Sequence, residues 1–250
     1  MPLLITIVDF IIVGIAMIIL APLGIGLFLL SCVGLKKPMT GAIYKIAQIW
    51  SLLLIACTGC KLTVRGKEHI PLQGGLCFVS NHGSIFDILL ILALAGRPVG
   101  FIAKKELALI PFLNIWIFLL GGLFIDRKNI RQAVSTMNRG IGRIKQGEAM
   151  VIFPEGTRSQ GKGLLPFRAG SFKLATQSGA PILPIAITGS YEIFEKTCRI
   201  RAVPVQVTFI PPINTACLPP EERRQRLADQ VHRLISQALE SAEALAQQSP

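Results

Sequence analysis

Charged residues are scarce in this chain, at 16% of 250 residues against 51% hydrophobic ones. That ratio is apolar for a soluble domain. Acidic residues are the scarcer sign: Lys and Arg number 26, Asp and Glu 14, for a net charge of +12. The surface should therefore be drawn to anionic partners. Nucleic acid and anionic lipid both qualify, and the apolar composition favours lipid, so no nucleic-acid partner is expected. Internal repeats, low-complexity tracts and a convincing internal boundary are missing, which leaves one substantial core. The six cysteines lie mostly in apolar runs. Cys57-Thr-Gly-Cys60 has metal or redox spacing, but neither a second pair nor a nearby histidine completes a site, so no metal is expected. A Gly-x-Ser-x-Gly elbow for a nucleophilic serine is absent too. Gly156-Thr-Arg-Ser-Gln-Gly-Lys162 fits most of a nucleotide-binding P-loop. Gly163, however, stands where a magnesium-holding Ser or Thr is needed, and Leu-Leu-Pro follows where a helix must begin. No cofactor is expected.

Charge is thinnest at the start. Between Leu3 and Leu35 the single charged residue is Asp9, and the run exceeds the roughly 20 residues of a membrane helix. A signal peptide fits poorly, because a basic start and a small-x-small cleavage site are both lacking. Pro22, with Gly24 and Gly26, is the expected point of a kink or a fold into two legs. Lys36 and Lys37 follow, which by the positive-inside tendency places the rest of the chain in the cytoplasm. From Ala42 to Cys57, Lys45, Gln48 and Ser51 share one helical side and Ile46, Ile49, Trp50 and Leu53 the other. That pattern predicts a helix lying in the membrane interface, with a buried helix of the folded domain as the alternative.

Beyond Lys61, short β-rich runs alternate with helical ones. Strands are predicted at Leu62–Val64, Leu76–Val79, Val99–Ala103, Leu123–Ile125, Met150–Phe153, Ile182–Ile187 and Val205–Phe209. Helices are predicted at Ile85–Ala95, Ile130–Gln146, Ser171–Ser178 and Pro220–Ala246. The last opens on Pro219-Pro-Glu-Glu222 and puts Leu227, Val231, Leu234, Ile235 and Ala238 on one face. This alternation implies an α/β fold: a mixed, mostly parallel sheet flanked by helices on both faces. The expected division is a helical membrane-anchoring segment over 1–60 and an α/β domain over 61–250.

Two polar clusters interrupt the apolar text. In Asn81-His-Gly-Ser-Ile-Phe-Asp87, a histidine and a carboxylate stand five residues apart, as proton abstraction from a hydroxyl needs: the carboxylate fixes the imidazole tautomer and stabilises the imidazolium. The same letters also read as a capping box, with Ser84 at the N-cap and Asp87 at N3, which would leave His82 as a turn residue. The second cluster, Phe153-Pro-Glu-Gly-Thr-Arg-Ser159, follows an apolar strand, where open α/β sheets put ligand loops. Arg158 offers a planar fork for phosphate, Gly156 lets backbone approach a ligand, and Thr157 and Ser159 add hydroxyls. Further cations stand at predicted strand ends, Lys104-Lys105 and Arg127 after Asp126, and in Phe167-Arg-Ala-Gly-Ser-Phe-Lys173, which opens a helix whose N-terminal amides also favour anions.

These residues resemble the glycerolipid acyltransferases, and among them the 1-acyl-sn-glycerol-3-phosphate acyltransferases. The resemblance rests on four blocks in order between His82 and Ile187: Asn81 to Asp87; Lys105-Glu-Leu with Gly122-Leu-Phe-Ile-Asp126-Arg127; Phe153 to Ser159; and Pro181-Ile-Leu-Pro184-Ile-Ala-Ile187. It implies transfer of an acyl group from acyl-CoA or acyl-ACP to lysophosphatidic acid in a cytoplasm-facing membrane enzyme. His82, held by Asp87, would take the proton of the sn-2 hydroxyl. Glu155, Gly156, Thr157 and Arg158 would hold the glycerol phosphate, with Arg127 and Lys105 in support. Alternatives are another lysolipid acceptor, a membrane-surface hydrolase using Ser84, and a non-enzymatic module binding anionic lipid.

Overall fold

The computed structural model describes residues 2–215 and 223–248. Strands β1 (Lys61–Arg65), β2 (Leu76–Ser80), β3 (Val99–Lys104), β4 (Leu123–Ile125), β5 (Ala149–Ile152), β6 (Ile182–Thr188) and β7 (Pro204–Phe209) form one sheet. Helices are α1 (Pro2–Leu30), α2 (Lys36–Cys57), α3 (Phe86–Leu94), α4 (Leu113–Leu119), α5 (Ile130–Lys145), α6 (Lys173–Ser178), α7 (Ser190–Ile193) and α8 (Arg223–Gln248). The strand order is β1-β7-β6-β2-β5-β3-β4. Every neighbouring pair is parallel except β6 with β7. The mixed, mostly parallel sheet with flanking helices is as the sequence implies.

Sequence texture follows position in the sheet. β2 and β5 are buried at every residue, because central parallel strands are covered on both faces and tolerate unbroken apolar runs. Lys61-Leu-Thr-Val-Arg65 alternates exposed and half-buried residues, as an edge strand does. On one sheet face α8 buries Leu227, Val231 and Ile235 completely, each worth about 2 kcal/mol. Its expected start at Pro219-Pro-Glu-Glu222 lies outside the described residues. On the other face α3 is packed all round, which is why Ile88 to Leu94 shows no polar stripe.

The N-terminal segment departs from expectation in two ways. α1 runs through Pro22 as one helix, and the chain turns instead at Ser31–Leu35, where Gly34 takes φ +98°. A left-handed backbone there needs glycine. α1 and α2 then pair as a hairpin whose two ends meet the same piece of the domain. Thr6 Oγ1 accepts from Ile200 N at 3.0 Å, and Cys60 Sγ lies 3.6 Å from Arg201 O. α2 is also docked on the domain rather than lying free in an interface. Tyr44 Oη donates to Leu92 O at 3.0 Å and Gln48 Nε2 to Ala93 O at 3.1 Å. The Gln48–Ser51 side faces α3, and Ile49, Leu52 and Leu53 face outward. α4, short and apolar, has no counterpart among the predicted helices; it packs under α1, with Trp116 Nε1 donating to Met17 O at 3.4 Å.

Candidate active site

Because β2, β3, β4, β5 and β6 are mutually parallel, the loops that leave their C-terminal ends share one edge of the sheet. The two polar clusters follow β2 and β5, which are neighbours. Residues more than seventy positions apart are therefore brought together by topology. The first loop is stiffened at its base: Asn81 Nδ2 donates to Ile187 O and Asn81 Oδ1 accepts from Ile187 N, both at 2.9 Å, pinning the end of β2 to β6.

His82 is held at four points. Its Nδ1 is 2.9 Å from Asp87 Oδ2. Its amide donates to Glu155 Oε1 at 2.7 Å, and its carbonyl accepts from Ser159 N at 2.8 Å. Its ring stacks on Phe153, with centroids 4.0 Å apart and planes at 17°. Asp87 is fully buried, and the same Oδ2 accepts from the amides of Gly83 at 2.8 Å and Ser84 at 2.9 Å. An oxygen that already accepts from two amides is an acceptor for the ring as well, so Nδ1 carries the shared proton and Nε2, on the opposite side of the ring, is left as a base. The capping-box reading is thus half present alongside the pair: Asp87 reaches back to the Ser84 amide, while Ser84 Oγ accepts from Phe86 N at 3.0 Å. Ser84 is fully buried and donates to Glu195 Oε2 at 2.7 Å, so it is not poised as a nucleophile on His82.

In the second loop Glu155 turns inward. Besides the His82 amide it accepts from Leu165 N at 3.2 Å, so each of its oxygens braces a different loop. Burial pushes its carboxyl from 4.5 up to about 7, against the lowering by these two amide donors, and the Asp87 charge raises it further. Gly156 sits at φ +76°, and a Cβ there would meet Arg168 Nε at 2.9 Å. Thr157 and Arg158 are on the exposed outer side of the turn. Arg158 Nη1 is paired with Glu195 Oε1 at 3.3 Å. No helix follows Lys162 before the 3₁₀ turn at Ala169–Phe172, so the P-loop look-alike has no helix to support it.

The remaining cations ring the same edge. Lys105 Nζ is 2.7 Å from Asp126 Oδ2; the bond holds Lys105 above and Asp126 below their ordinary values. Asp126 Oδ1 also accepts from the amides of Lys128 and Asn129, which shapes the turn carrying Arg127. The Arg127 guanidinium is lowered by desolvation and then by the like charge of Arg168. Of two further residues at this edge, the sequence reaches one in part and the other not at all. Arg168 belongs to a run legible only as generally cationic. Glu195 has no spacing signal at all, since it reaches the site from beyond α7. Together the edge offers an oriented base with a fixed proton partner, framed by four cations.

Residues 61–188 match the model of the acyltransferase family. The 1-acyl-sn-glycerol-3-phosphate acyltransferase of Limnanthes douglasii is 36% identical over 165 residues, which cover 65% of this chain and 58% of that protein. The 1-acyl-sn-glycerol-3-phosphate acyltransferase alpha of Homo sapiens is 37% identical over 191 residues, covering 75% of this chain and 66% of that one. The chain thus spans less than two thirds of either relative. A crystal structure of the 1-acyl-sn-glycerophosphate (LPA) acyltransferase of Thermotoga maritima superposes with a TM-score of 0.82 at 27% identity, over 97% of this chain and 96% of that one.

Proposed function

Since the chain belongs to the acyltransferase family, we propose that it moves a fatty acyl group from an acyl-thioester, acyl-CoA or acyl-ACP, to the sn-2 hydroxyl of lysophosphatidic acid, giving phosphatidic acid. The observation that carries this reading is the four-point grip on His82, which leaves Nε2 free of the Asp87 contact. Nε2 takes the hydroxyl proton as the oxygen attacks the thioester carbonyl. The tetrahedral intermediate collapses with loss of the thiolate, which recovers the proton from the imidazolium. Asp87 holds the ring and balances its transient charge. No covalent acyl-enzyme is needed.

Arg158 is the proposed ligand of the acceptor phosphate, with Arg127 and Lys105 supplying further positive charge. Gly156 and Thr157 shape that turn. Glu155 serves it from beneath, through the His82 and Leu165 amides, rather than by touching an anion of its own sign. Residues 1–60 form the membrane anchor and 61–250 the acyl-transfer domain. Both helices of the anchor are long and apolar enough to cross a membrane. The meeting of both hairpin ends at 200–201 puts the two ends of the segment on one side of the membrane; the arrangement proposed is re-entry into one leaflet, with the domain facing the cytoplasm. The test is thiol release from acyl-CoA or acyl-ACP by membranes carrying the protein. It should depend on lysophosphatidic acid and vanish in His82→Ala. Release at the same rate without acceptor would point to hydrolysis and overturn the assignment.

A further inference from the structure

Glu195 lies just past α7, far from both motifs in sequence, yet its carboxylate sits between them. Its side chain is 12% exposed, against 42% for its partner Arg158. Oε2 accepts from Ser84 Oγ and Oε1 from the Ile85 amide, both at 2.7 Å, and Oε1 also accepts from Arg158 Nη1 at 3.3 Å. The first two bonds anchor the carboxylate to Ser84 and Ile85, the stretch between His82 and Asp87 that enters α3. The third reaches the guanidinium on the neighbouring loop.

This arrangement has a chemical consequence. An exposed arginine on a turn samples many rotamers, and each ordering of its side chain costs entropy when an anion binds. A fixed carboxylate that takes one N–H of the guanidinium leaves the rest of the planar fork for a phosphate and sets its direction. Because the carboxylate is itself fixed to Ser84 and Ile85, that direction is set relative to the His82–Asp87 pair.

We propose that Glu195 is a positioning residue: it aims Arg158 at the acceptor's phosphate and so keeps the phosphate site in register with the base. The proposal rests on Arg158 being the phosphate ligand of the reading above. Loss of the carboxylate charge therefore acts on acceptor affinity through Arg158, and leaves acyl-donor affinity alone.

The experiment is a double-mutant cycle on the full-length protein in membranes, with lysophosphatidic acid and acyl-CoA varied separately. Glu195→Gln keeps size and one acceptor oxygen, and loses the charge and the second acceptor. It should raise KM for lysophosphatidic acid roughly 5- to 20-fold, with kcat and the donor KM within about twofold. In the Arg158→Lys background the same change should move the acceptor KM by less than about twofold, since the fork it orients is gone. Ser84→Ala, which frees one carboxylate oxygen, should give a smaller rise with the same dependence on Arg158, and it serves where Glu195→Gln does not accumulate folded. Equal effects in both backgrounds, or a fall in kcat alone, would make Glu195 a brace of α3 and overturn the proposal. A drop in acceptor KM would show the carboxylate competing with phosphate for Arg158, which also overturns it. If the wild type releases thiol without needing lysophosphatidic acid, the acceptor reading fails and takes this proposal with it. A failure confined to the variants leaves the acceptor reading intact.

Discussion

A histidine fixed at its amide, its carbonyl, one ring nitrogen and one ring face has little freedom left, and this is what separates His82 from an ordinary turn residue. His82→Ala should reduce acyl transfer by at least roughly 10²-fold, the low end for a general base, with the fold retained. Asp87→Asn is more discriminating. An amide oxygen can still serve the Gly83 and Ser84 amides, so the turn survives, but the imidazolium loses its counter-charge. Unchanged turnover in the Asn variant would leave Asp87 as a cap and nothing more. Arg158→Lys, which keeps charge and loses the fork, should raise the acceptor KM with the donor KM steady; a rise for the donor alone would reassign Arg158 to the thioester carrier. Glu155 supplies a pH test. Its carboxyl is raised in the fold from 4.5 to about 7, so the folded state holds this proton more tightly than the unfolded one. Wild type should accordingly gain stability relative to Glu155→Gln as pH falls from about 7 towards 4.5, and the difference should level off above 7. Thermal unfolding of both proteins across that range checks it; a pH-independent gap would refute the buried, raised carboxyl. Part of this candidate site is legible as letters: the spacing of His82 and Asp87 lets them pair, as they do, and Arg158 stands out as the arginine of the second cluster. What Glu155 does was not legible, because a carboxylate beside Gly-Thr-Arg looks like a ligand, and only the fold turns both its oxygens onto backbone amides.

At the scale of elements, the strands were readable because their texture changes with position: unbroken apolar runs at the centre, alternation at the edge. α4 was not, since seven residues apolar on nearly every side, between Pro111 and Gly121, carry no helical period to detect. The hairpin's turn is hidden in the sequence for a related reason. Pro22 is the obvious breaker, yet proline costs a helix one hydrogen bond, whereas a chain reversal needs a left-handed residue, which Gly34 supplies. Contacts then fix how far the hairpin projects. Gly24 lies against Leu119, and the Phe28 ring meets Phe118 at 5.0 Å, while on the other leg Ile43 is packed with Trp116. Only residues 29–42 extend beyond these contacts. At about 1.5 Å per residue, seven residues per leg reach roughly 10 Å, short of a hydrocarbon core of about 30 Å. In a protein whose sole thiol is the exposed native Cys32 in the turn, an impermeant reagent should therefore fail to label from either side. A sole thiol introduced in place of Pro2 should label from the side of the α/β domain. Labelling of Cys32 from the opposite side would mean a true crossing.

For the molecule as a whole, two forces of different range favour a lipid surface, and salt separates them. The hairpin tip carries outward-facing Leu29, Leu30, Val33 and Leu35, with Val33 75% exposed, and contact of such side chains with acyl chains hardly depends on ionic strength. The net charge of +12 acts at a distance, on anionic lipid and on anionic lysophosphatidic acid alike, and is screened within about 30 Å at 0.01 M salt but about 3 Å at 1 M. Deleting α1 would not isolate the first force, because α1 also covers Trp116 and Leu119, and its loss would expose the domain. Changing Leu29, Leu30, Val33 and Leu35 to serine leaves those packed contacts in place. On vesicles containing anionic lipid, the wild type should stay bound at both salt concentrations. The serine variant should stay bound at 0.01 M and leave at 1 M, with acyl transfer to vesicle-borne acceptor falling in step with release. Retention of the variant at 1 M would remove the tip from the anchor. Its loss already at 0.01 M would mean that the charge adds nothing measurable, and that the hairpin alone places the sheet edge carrying His82 at the membrane.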